Sequence, residues 1–207
     1  MAFLDIAKKR RSIREFRAKN VSEQDIYDLI DAARWAPSAN NLQPWRFIII
    51  RESSTKNKIA KASYKQTWVE GAPVVILVCS LTGAVEARFP TTGASLAKQA
   101  VASAVENILL AAADKGLATC WIAIPKPGKL SSDLDVPDNV EIQGAIAIGY
   151  ARKKVKAPSR LDAGDLVSFE AWGAVGADYN TSLRGEQAKP LLEKRAIKKI
   201  RDRIKKK

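Results

Sequence analysis

Two short segments carry side chains that could bind a ligand. The first, residues 10–14, reads Arg-Arg-Ser-Ile-Arg and places three guanidinium groups beside one hydroxyl. Arginine forks bind phosphate oxygens in a bidentate manner, and a serine hydroxyl beside free main-chain amides completes an anion pocket. The alternative is a solvated basic helix end, which is favoured when the run is taken alone.

The second segment, residues 37–45, has two prolines and four polar side chains directly before a predicted strand. The polar side chains are Ser38, Asn40, Asn41 and Gln43. Amides at such a position can pair with the edge of a heterocycle, and proline orients them in advance, which lowers the ordering cost of binding. A well-capped turn that only joins a helix to a strand is the alternative, and composition alone favours that turn.

The residue inventory limits the chemistry further. Histidine is absent, which excludes His-based triads, His general acid–base catalysis and His-rich zinc sites. Cys79 and Cys120 each lie in an apolar run, where we expect small buried thiols rather than a metal site or a disulfide. Any reaction must therefore use other side chains or a bound cofactor, and we predict no metal.

The formal net charge of +13 raises the question of a polyanionic partner. Ten Lys or Arg and two acidic residues lie between 188 and 207, so this tail carries eight of the thirteen net positive charges. Apolar residues recur in it as Leu191, Leu192, Ile197, Ile200 and Ile204. This amphipathic pattern favours a helix packed on an apolar surface over nucleic-acid binding, because the tail has no aromatic residue.

The elements that must position the two segments follow from periodicity and capping. We predict a short helix over Phe3–Lys9 and a second helix that begins after the capping-box-like Ser22 and ends before Pro37. Predicted strands cover 47–50, 74–79, 117–124 and 141–150, the first two buried on both faces, and the connection 125–138 holds one or two helical turns. This order indicates a mixed α/β domain of two or three layers, without repeats or an interdomain linker.

A long Ala-rich helix between Gly93 and Gly116 is the predicted centre of the fold. We expect one row of its side chains to face a neighbour, namely Leu96, Ala100, Ser103, Ala104, Asn107, Leu110 and Ala111. The N-terminus does not resemble a signal peptide, and we expect no membrane-spanning stretch and a cytoplasmic protein.

Taken together, the segments resemble the nitroreductase family of FMN-dependent oxidoreductases. The resemblance rests on residues 10–16 and 32–47, followed in the right order by 71–76, 106–122, and 148–150 with 158–160. It implies an α+β fold with a mostly antiparallel central sheet flanked by helices and a long central helix. We assign residues 1–173 to the FMN-binding domain and 174–207 to a basic C-terminal extension, helical and packed on the domain or on a partner subunit.

The resemblance also implies a role for individual residues. Those expected to hold the FMN phosphate and ribityl chain are Arg10, Arg11, Ser12 and Arg160. Arg14 corresponds to the cation at the flavin N1/O2 edge, and Gln66 to a position at the flavin edge. The loop residues expected to cover the flavin from the partner subunit are Pro37, Ser38, Ala39, Asn41 and Gln43. Main-chain amides of Ile122 and Ala123 are expected at flavin N5 or O4.

Two departures from the family pattern bear on substrate preference. Many relatives have an acidic residue where this chain has Gln99-Ala100, and some have Glu-Gly where it has Ile122-Ala123. The backbone at Ile122-Ala123 still supplies N–H donors.

The implied function is hydride transfer from NADH or NADPH, through FMN, to a small electrophile such as a nitroaromatic or a quinone. The implied mechanism is ping-pong, and the implied assembly is a homodimer with FMN at the subunit interface. We expect no side-chain acid or base, no membrane contact and no nucleic-acid partner. One alternative is a specialised flavin reductase or dehalogenase of the same family, for which residues 80–93 would supply a lid. The other is a polyanion-binding protein that acts through the basic tail.

Overall fold

A four-stranded antiparallel sheet with helices on both faces organises the chain. The computed structural model describes residues 2–172, which divide into two units between Val155 and Lys156. The predicted extension 174–207 lies outside the described residues, so its helical character stays a prediction.

All the regular helices and strands belong to the first unit. The helices are α1 Phe3–Lys9, α2 Glu23–Arg34, α3 Ser53–Ala62, α4 Thr82–Arg88, α5 Gly93–Asp114 and α6 Gly128–Asp133. The strands are β1 Trp45–Ile50, β2 Val74–Ser80, β3 Ala118–Ile122 and β4 Glu141–Gly149. The sheet order is β1-β2-β4-β3, and each neighbouring pair is antiparallel.

The alternation of side chains along β2 and β4 divides the core into two clusters. One cluster includes Val74, Ile76 and Val78 of β2, together with residues of α2 and α5. The other includes Val75 and Leu77, together with residues of α3 and α6. The sheet is thus the middle of three layers, and β2 is buried at every position because helices cover both of its faces. The predicted α+β fold with an antiparallel sheet and a long central helix is confirmed.

Local chemistry explains where α2 begins. The Ser22 hydroxyl accepts a hydrogen bond from the Asp25 amide at 3.0 Å, which satisfies one of the free N–H groups of the first turn. Ile26, Leu29 and Ala33 then recur at helical spacing and are buried. The predicted start and end of this helix are confirmed.

Two predictions about burial are wrong. β1 lies at the edge of the sheet and is only partly covered, with Ile49 40% exposed, whereas we predicted burial on both faces. In α5 only Ala100 and Ala104 of the predicted row are buried; the buried positions also include Ala97, Val101, Val105, Ile108, Leu109 and Ala112. The polar residues Ser95, Lys98, Gln99, Ser103, Glu106 and Asn107 recur at helical spacing and mark the less buried face of α5, and the predicted row lies between that face and the buried one.

By length and composition alone, α5 could cross a membrane. This differs from our expectation that the chain has no membrane-spanning stretch. The apolar side of α5 packs in the same cluster as β2 and α2. On its other side, the Asn107 amide donates to the Ala32 carbonyl at the end of α2 at 3.1 Å. These contacts account for the apolar composition of α5 as that of a core helix.

α4 turns directly back onto the start of α5, and Gly93 makes this approach possible. A Cβ atom added at Gly93 would lie 2.5 Å from the Cα atom of Glu86 and 2.6 Å from its amide nitrogen. These are backbone atoms, so the two helices would have to separate to admit even a methyl group.

We therefore expect Gly93→Ala to lower the free energy of unfolding by about 1–3 kcal/mol, the usual cost of forcing a methyl group into a packed contact. The matched control is Gly128→Ala at the start of α6, where an added Cβ meets nothing within 4 Å. Urea unfolding followed by circular dichroism measures both variants. Equal stability of the two variants would contradict the close approach of α4 and α5.

Candidate functional site

The basic segment 10–14 runs alongside β3 and pairs with it at one isolated bridge. The Ile13 amide donates to the Thr119 carbonyl at 2.8 Å, and Ser12 forms a parallel bridge with Thr119. Because successive side chains of extended backbone point to opposite sides, we expect Arg10, Ser12 and Arg14 on one side of the segment and Arg11 and Ile13 on the other.

On the first side, Arg10 and Ser12 line an open cavity of about 400 Å³. The other lining residues are Glu106, Leu109, Thr119, Trp121, Ala123 and Gln143. The cavity therefore brings together three of the predicted site residues, Arg10 and Ser12 from the basic segment and Ala123 from the residue after β3. Ile122, by contrast, is buried in the core cluster on the opposite face of the sheet, so only its main chain is available to a ligand here.

Glu106 is a residue of this cavity that sequence reasoning did not assign. Its Oε1 lies 3.3 Å from Nε of Arg10, and both side chains are partly exposed. The ion pair engages the guanidinium at Nε, so the two terminal nitrogens remain on the far side of the group, where an anion could meet them in a bidentate manner. Glu106 lies within the resemblance-carrying stretch 106–122, but its ionic partner is nearly one hundred positions away, which no local pattern reveals.

Arg11 is placed differently from its neighbours. Its Nη1 donates to the Lys8 carbonyl at 2.7 Å and to the Arg10 carbonyl, so it caps the C-terminal end of α1. Arg11 lines a second cavity of about 680 Å³ in which every charged lining residue is basic. Those residues are Lys9, Arg10, Arg11, Arg17, Arg152, Lys153 and Lys154. Arg10 and Thr119 line both cavities, and Arg10 is the charged residue that the two have in common.

Arg14 connects the basic segment to Gln66 through Trp68. The Arg14 guanidinium carbon lies 5.7 Å from the centroid of the Trp68 ring, which is a cation–π distance. The Trp68 indole N–H donates to Oε1 of Gln66 at 3.2 Å. Because an indole N–H is only a donor, it must meet the carbonyl end of the Gln66 amide, which leaves the NH₂ group turned away from Trp68. Two predicted flavin-edge residues are thus joined by a third that sequence reasoning missed.

Trp68 lies in the 3₁₀ turn Thr67–Gly71, which a buried side chain and a buried hydrogen bond hold in place. Val69 is fully buried, and the Lys56 ammonium donates to the Ala72 carbonyl at 2.9 Å. Lys56 is only 6% exposed, and its burial lowers the pKa of the ammonium, while Glu52 and Glu70 act in the opposite direction. The buried lysine therefore serves the turn as a hydrogen-bond donor.

The loop 37–43 forms a rigid turn of its own. The Ser38 hydroxyl accepts from the Gln43 amide at 3.0 Å, and the Gln43 side chain donates to the Asn41 carbonyl at 3.1 Å. Asn40, Asn41 and Gln43 all have φ near +50°, a conformation that asparagine tolerates better than most residues. The predicted residues Pro37, Ser38, Ala39, Asn41 and Gln43 line neither of the two cavities above.

Arg160 belongs to the second unit, so its assignment to the same anion as Arg10 stays a prediction. The two cysteines are buried and unpaired with each other, as expected. Burial raises the pKa of the Cys79 thiol to about 11. Burial also raises the pKa of Cys120, although Arg14, the Ser12 hydroxyl and Arg10 oppose the shift. Both thiols are therefore protonated near neutral pH and unsuited to nucleophilic chemistry.

Comparison with known proteins accounts for this arrangement. The family model described as the nitroreductase family matches residues 7–71 and 60–150. A protein of Archaeoglobus fulgidus, whose name assigns it to the NADH dehydrogenase/NAD(P)H nitroreductases, is 30% identical over 170 residues, covering 79% of this chain and 94% of its own length.

Solved structures have the same fold. A nitroreductase family protein from Clostridium difficile 630 superposes with a TM-score of 0.73 at 31% identity, over 83% of this chain and 99% of its own. An FMN-dependent nitroreductase from Clostridium difficile R20291 superposes with a TM-score of 0.65 at 24% identity, over 75% of this chain and 91% of its own. The family match spans the helices, the sheet and the basic segment together, and the chain belongs to the nitroreductase family.

Proposed function

We propose that this member of the nitroreductase family binds FMN along the segment 10–14 and the end of β3, and uses it as an NAD(P)H-dependent oxidoreductase. The observation that carries the proposal is the hydrogen-bonded register of this segment against β3. Arg10 and Ser12 line a cavity that Ala123 also lines, and Arg14 follows them along the same segment. An FMN molecule needs a cationic phosphate site at one end and polar donors along its ring at the other, and the residues assigned below would supply both.

The phosphate end is assigned to Arg10 and Ser12, which line the same cavity. Arg10 is pre-oriented because Glu106 binds its Nε atom, which leaves the terminal nitrogens to a phosphate. Ser12 adds a hydroxyl donor on the same side of the strand. The neighbouring basic cavity lined by Arg11 provides further positive potential to attract a dianion.

The ring end is assigned to Arg14, Gln66 and the amides of Ile122 and Ala123. When bound, FMN supplies the two-electron carrier that accepts and returns hydride. A fixed cation at Arg14 stabilises negative charge on the reduced ring, and Trp68 limits the positions that this cation can take. The outward NH₂ group of Gln66 would donate to a ring carbonyl.

A homodimer is part of the proposal because the loop 37–43 is ordered by its own hydrogen bonds yet lines neither cavity of its own chain. We assign it to the flavin site of a second copy. Several large apolar side chains are well exposed and would be covered in such a dimer, including Phe3 at 69%, Leu4 at 58% and Trp35 at 73%.

The reaction assigned to this site is a ping-pong exchange in which NADH or NADPH and a small electrophile, such as a nitroaromatic or a quinone, bind in turn. None of the assigned residues is a side-chain acid or base, and the positive charges of the site bind and polarise rather than transfer protons. The proposed enzyme is cytoplasmic, with no nucleic-acid partner.

Arg10→Ala should weaken FMN binding by about tenfold to a hundredfold, since one charge-assisted contact to the phosphate is lost. Fluorescence titration of the apoprotein with FMN measures the change. The matched control is Arg34→Ala, which removes an exposed arginine whose ion pair with Asp31 and cation–π contact with Trp35 are both local in sequence. Equal FMN affinity of the Arg10 and Arg34 variants would contradict the phosphate assignment.

Trp68→Leu should make the two-electron midpoint potential of bound FMN more negative by about 10–20 mV, because Arg14 loses the ring that holds it near the reduced flavin. Trp68→Phe keeps an aromatic face for Arg14 but not the indole donor to Gln66, and should retain most of the potential. Spectroelectrochemistry with a reference dye measures both variants. An unchanged midpoint potential in Trp68→Leu would contradict the proposed role of Trp68 in holding Arg14 near the flavin.

A further inference from the structure

A third cavity, of about 410 Å³, lies between α3 and α6 and is strongly cationic. Its lining residues are Lys58, Lys61, Ala62, Lys126, Lys129, Leu130 and Asp133. We call it the lysine cavity. None of these residues takes part in the FMN site proposed above, and the family resemblance assigns no role to any of them.

The charges of the lysine cavity are out of balance. Asp133 is its one lining carboxylate and is shared between two ammonium groups, at 3.5 Å from Lys58 and 4.0 Å from Lys129. Four lysines against one aspartate leave an excess of three positive charges around a concave surface. Lysines that served only solubility would not need to converge on one cavity, whereas a ligand with several phosphate charges would neutralise this excess.

The floor of the lysine cavity is apolar. Leu130 is 2% exposed and packs in the core cluster beneath the sheet, and Ala62 packs against the same cluster. An apolar floor with a cationic rim suits a ligand that combines a flat ring with phosphates, such as an adenine nucleotide. Inorganic phosphate alone has no apolar part that could pack on this floor.

The chain connects this cavity to both ends of the proposed flavin edge. Lys126 follows Ala123 by three positions, so their Cα atoms are at most about 11 Å apart. Lys61 precedes Gln66 by five positions, which limits that separation to about 18 Å. Pro125 and Pro127 flank Lys126 and restrict the backbone that carries it. A nucleotide tail anchored here could therefore belong to the dinucleotide whose nicotinamide reaches the flavin.

We propose that the lysine cavity binds the adenosine end of the nicotinamide coenzyme and recognises its 2′-phosphate, so that NADPH rather than NADH is the reductant. The inference rests on the proposed function, because it places the coenzyme tail next to the proposed flavin edge. Lys126 and Lys129 are specificity-determining residues in this arrangement, and Ala62, which is only partly buried, is the apolar surface against which adenine packs.

The test compares wild-type FMN-loaded protein with the Lys126→Ala/Lys129→Ala double variant and with Lys98→Ala, an exposed lysine of α5 outside the cavity, as the matched control. Steady-state kcat/KM is measured with NADPH and with NADH at constant ionic strength. We expect wild type and control to prefer NADPH, and the double variant to lose about tenfold or more in kcat/KM for NADPH with little change for NADH. An equal loss for both coenzymes, or none, overturns the inference.

A binding measurement separates this inference from the proposed function. Calorimetric titration with 2′,5′-ADP and with 5′-AMP does not depend on flavin chemistry. Tighter binding of 2′,5′-ADP by wild type, lost in the double variant but kept in the control, supports the site. Equal binding of the two nucleotides overturns it. Failure of the wild-type protein to take up FMN would overturn the proposed function instead, whatever the nucleotide titration shows.

Discussion

One main-chain hydrogen bond, from the Ile13 amide to the Thr119 carbonyl, sets the geometry of the proposed site. It holds an arginine-rich segment in register with β3, and the side chains of extended backbone alternate with a period of two. A shift of one residue would exchange Arg10, Ser12 and Arg14 for Arg11 and Ile13 on the ligand side. Burial of Ile13, at 7% exposure, opposes that shift because the shift would bring this apolar side chain into the cavity. Core packing therefore fixes which cations face the ligand.

Much of this arrangement could be predicted where local chemistry determines the outcome. Ser22 and the apolar spacing behind it defined α2, and the unbroken apolar run of β2 indicated a central strand. The position of a strand within its sheet depends on which strands pair, so the exposed edge of β1 was not predictable from its apolar composition. The buried face of α5 was misplaced for a different reason, because the predicted row included Ser103 and Asn107, which belong to the polar side of the helix.

The same distinction, between what local sequence reveals and what depends on the three-dimensional fold, applies to the residues of the proposed site. Arg10, Ser12 and Arg14 could be found because they lie within five positions and match a family pattern. Glu106 and Trp68 could not, because each acts through a partner distant in the chain: Arg10 for Glu106, and Arg14 for Trp68. Neither residue type is unusual for its element, a carboxylate on a helix and an aromatic ring on a short turn. Their roles arise only when the three-dimensional fold brings the segments together.

The buried thiols have a consequence for how the protein responds to acid and base. The chain has no histidine, the side chain whose ordinary pKa lies between 5 and 8, and burial raises the pKa values of Cys79 and Cys120 further above that range. A bound group that titrates near neutrality would therefore be observed without a histidine signal beside it. A phosphate monoester loses its second proton near pH 6 and would report its own ionisation directly. The absence of histidine would thus make the titration of a bound phosphate easier to observe.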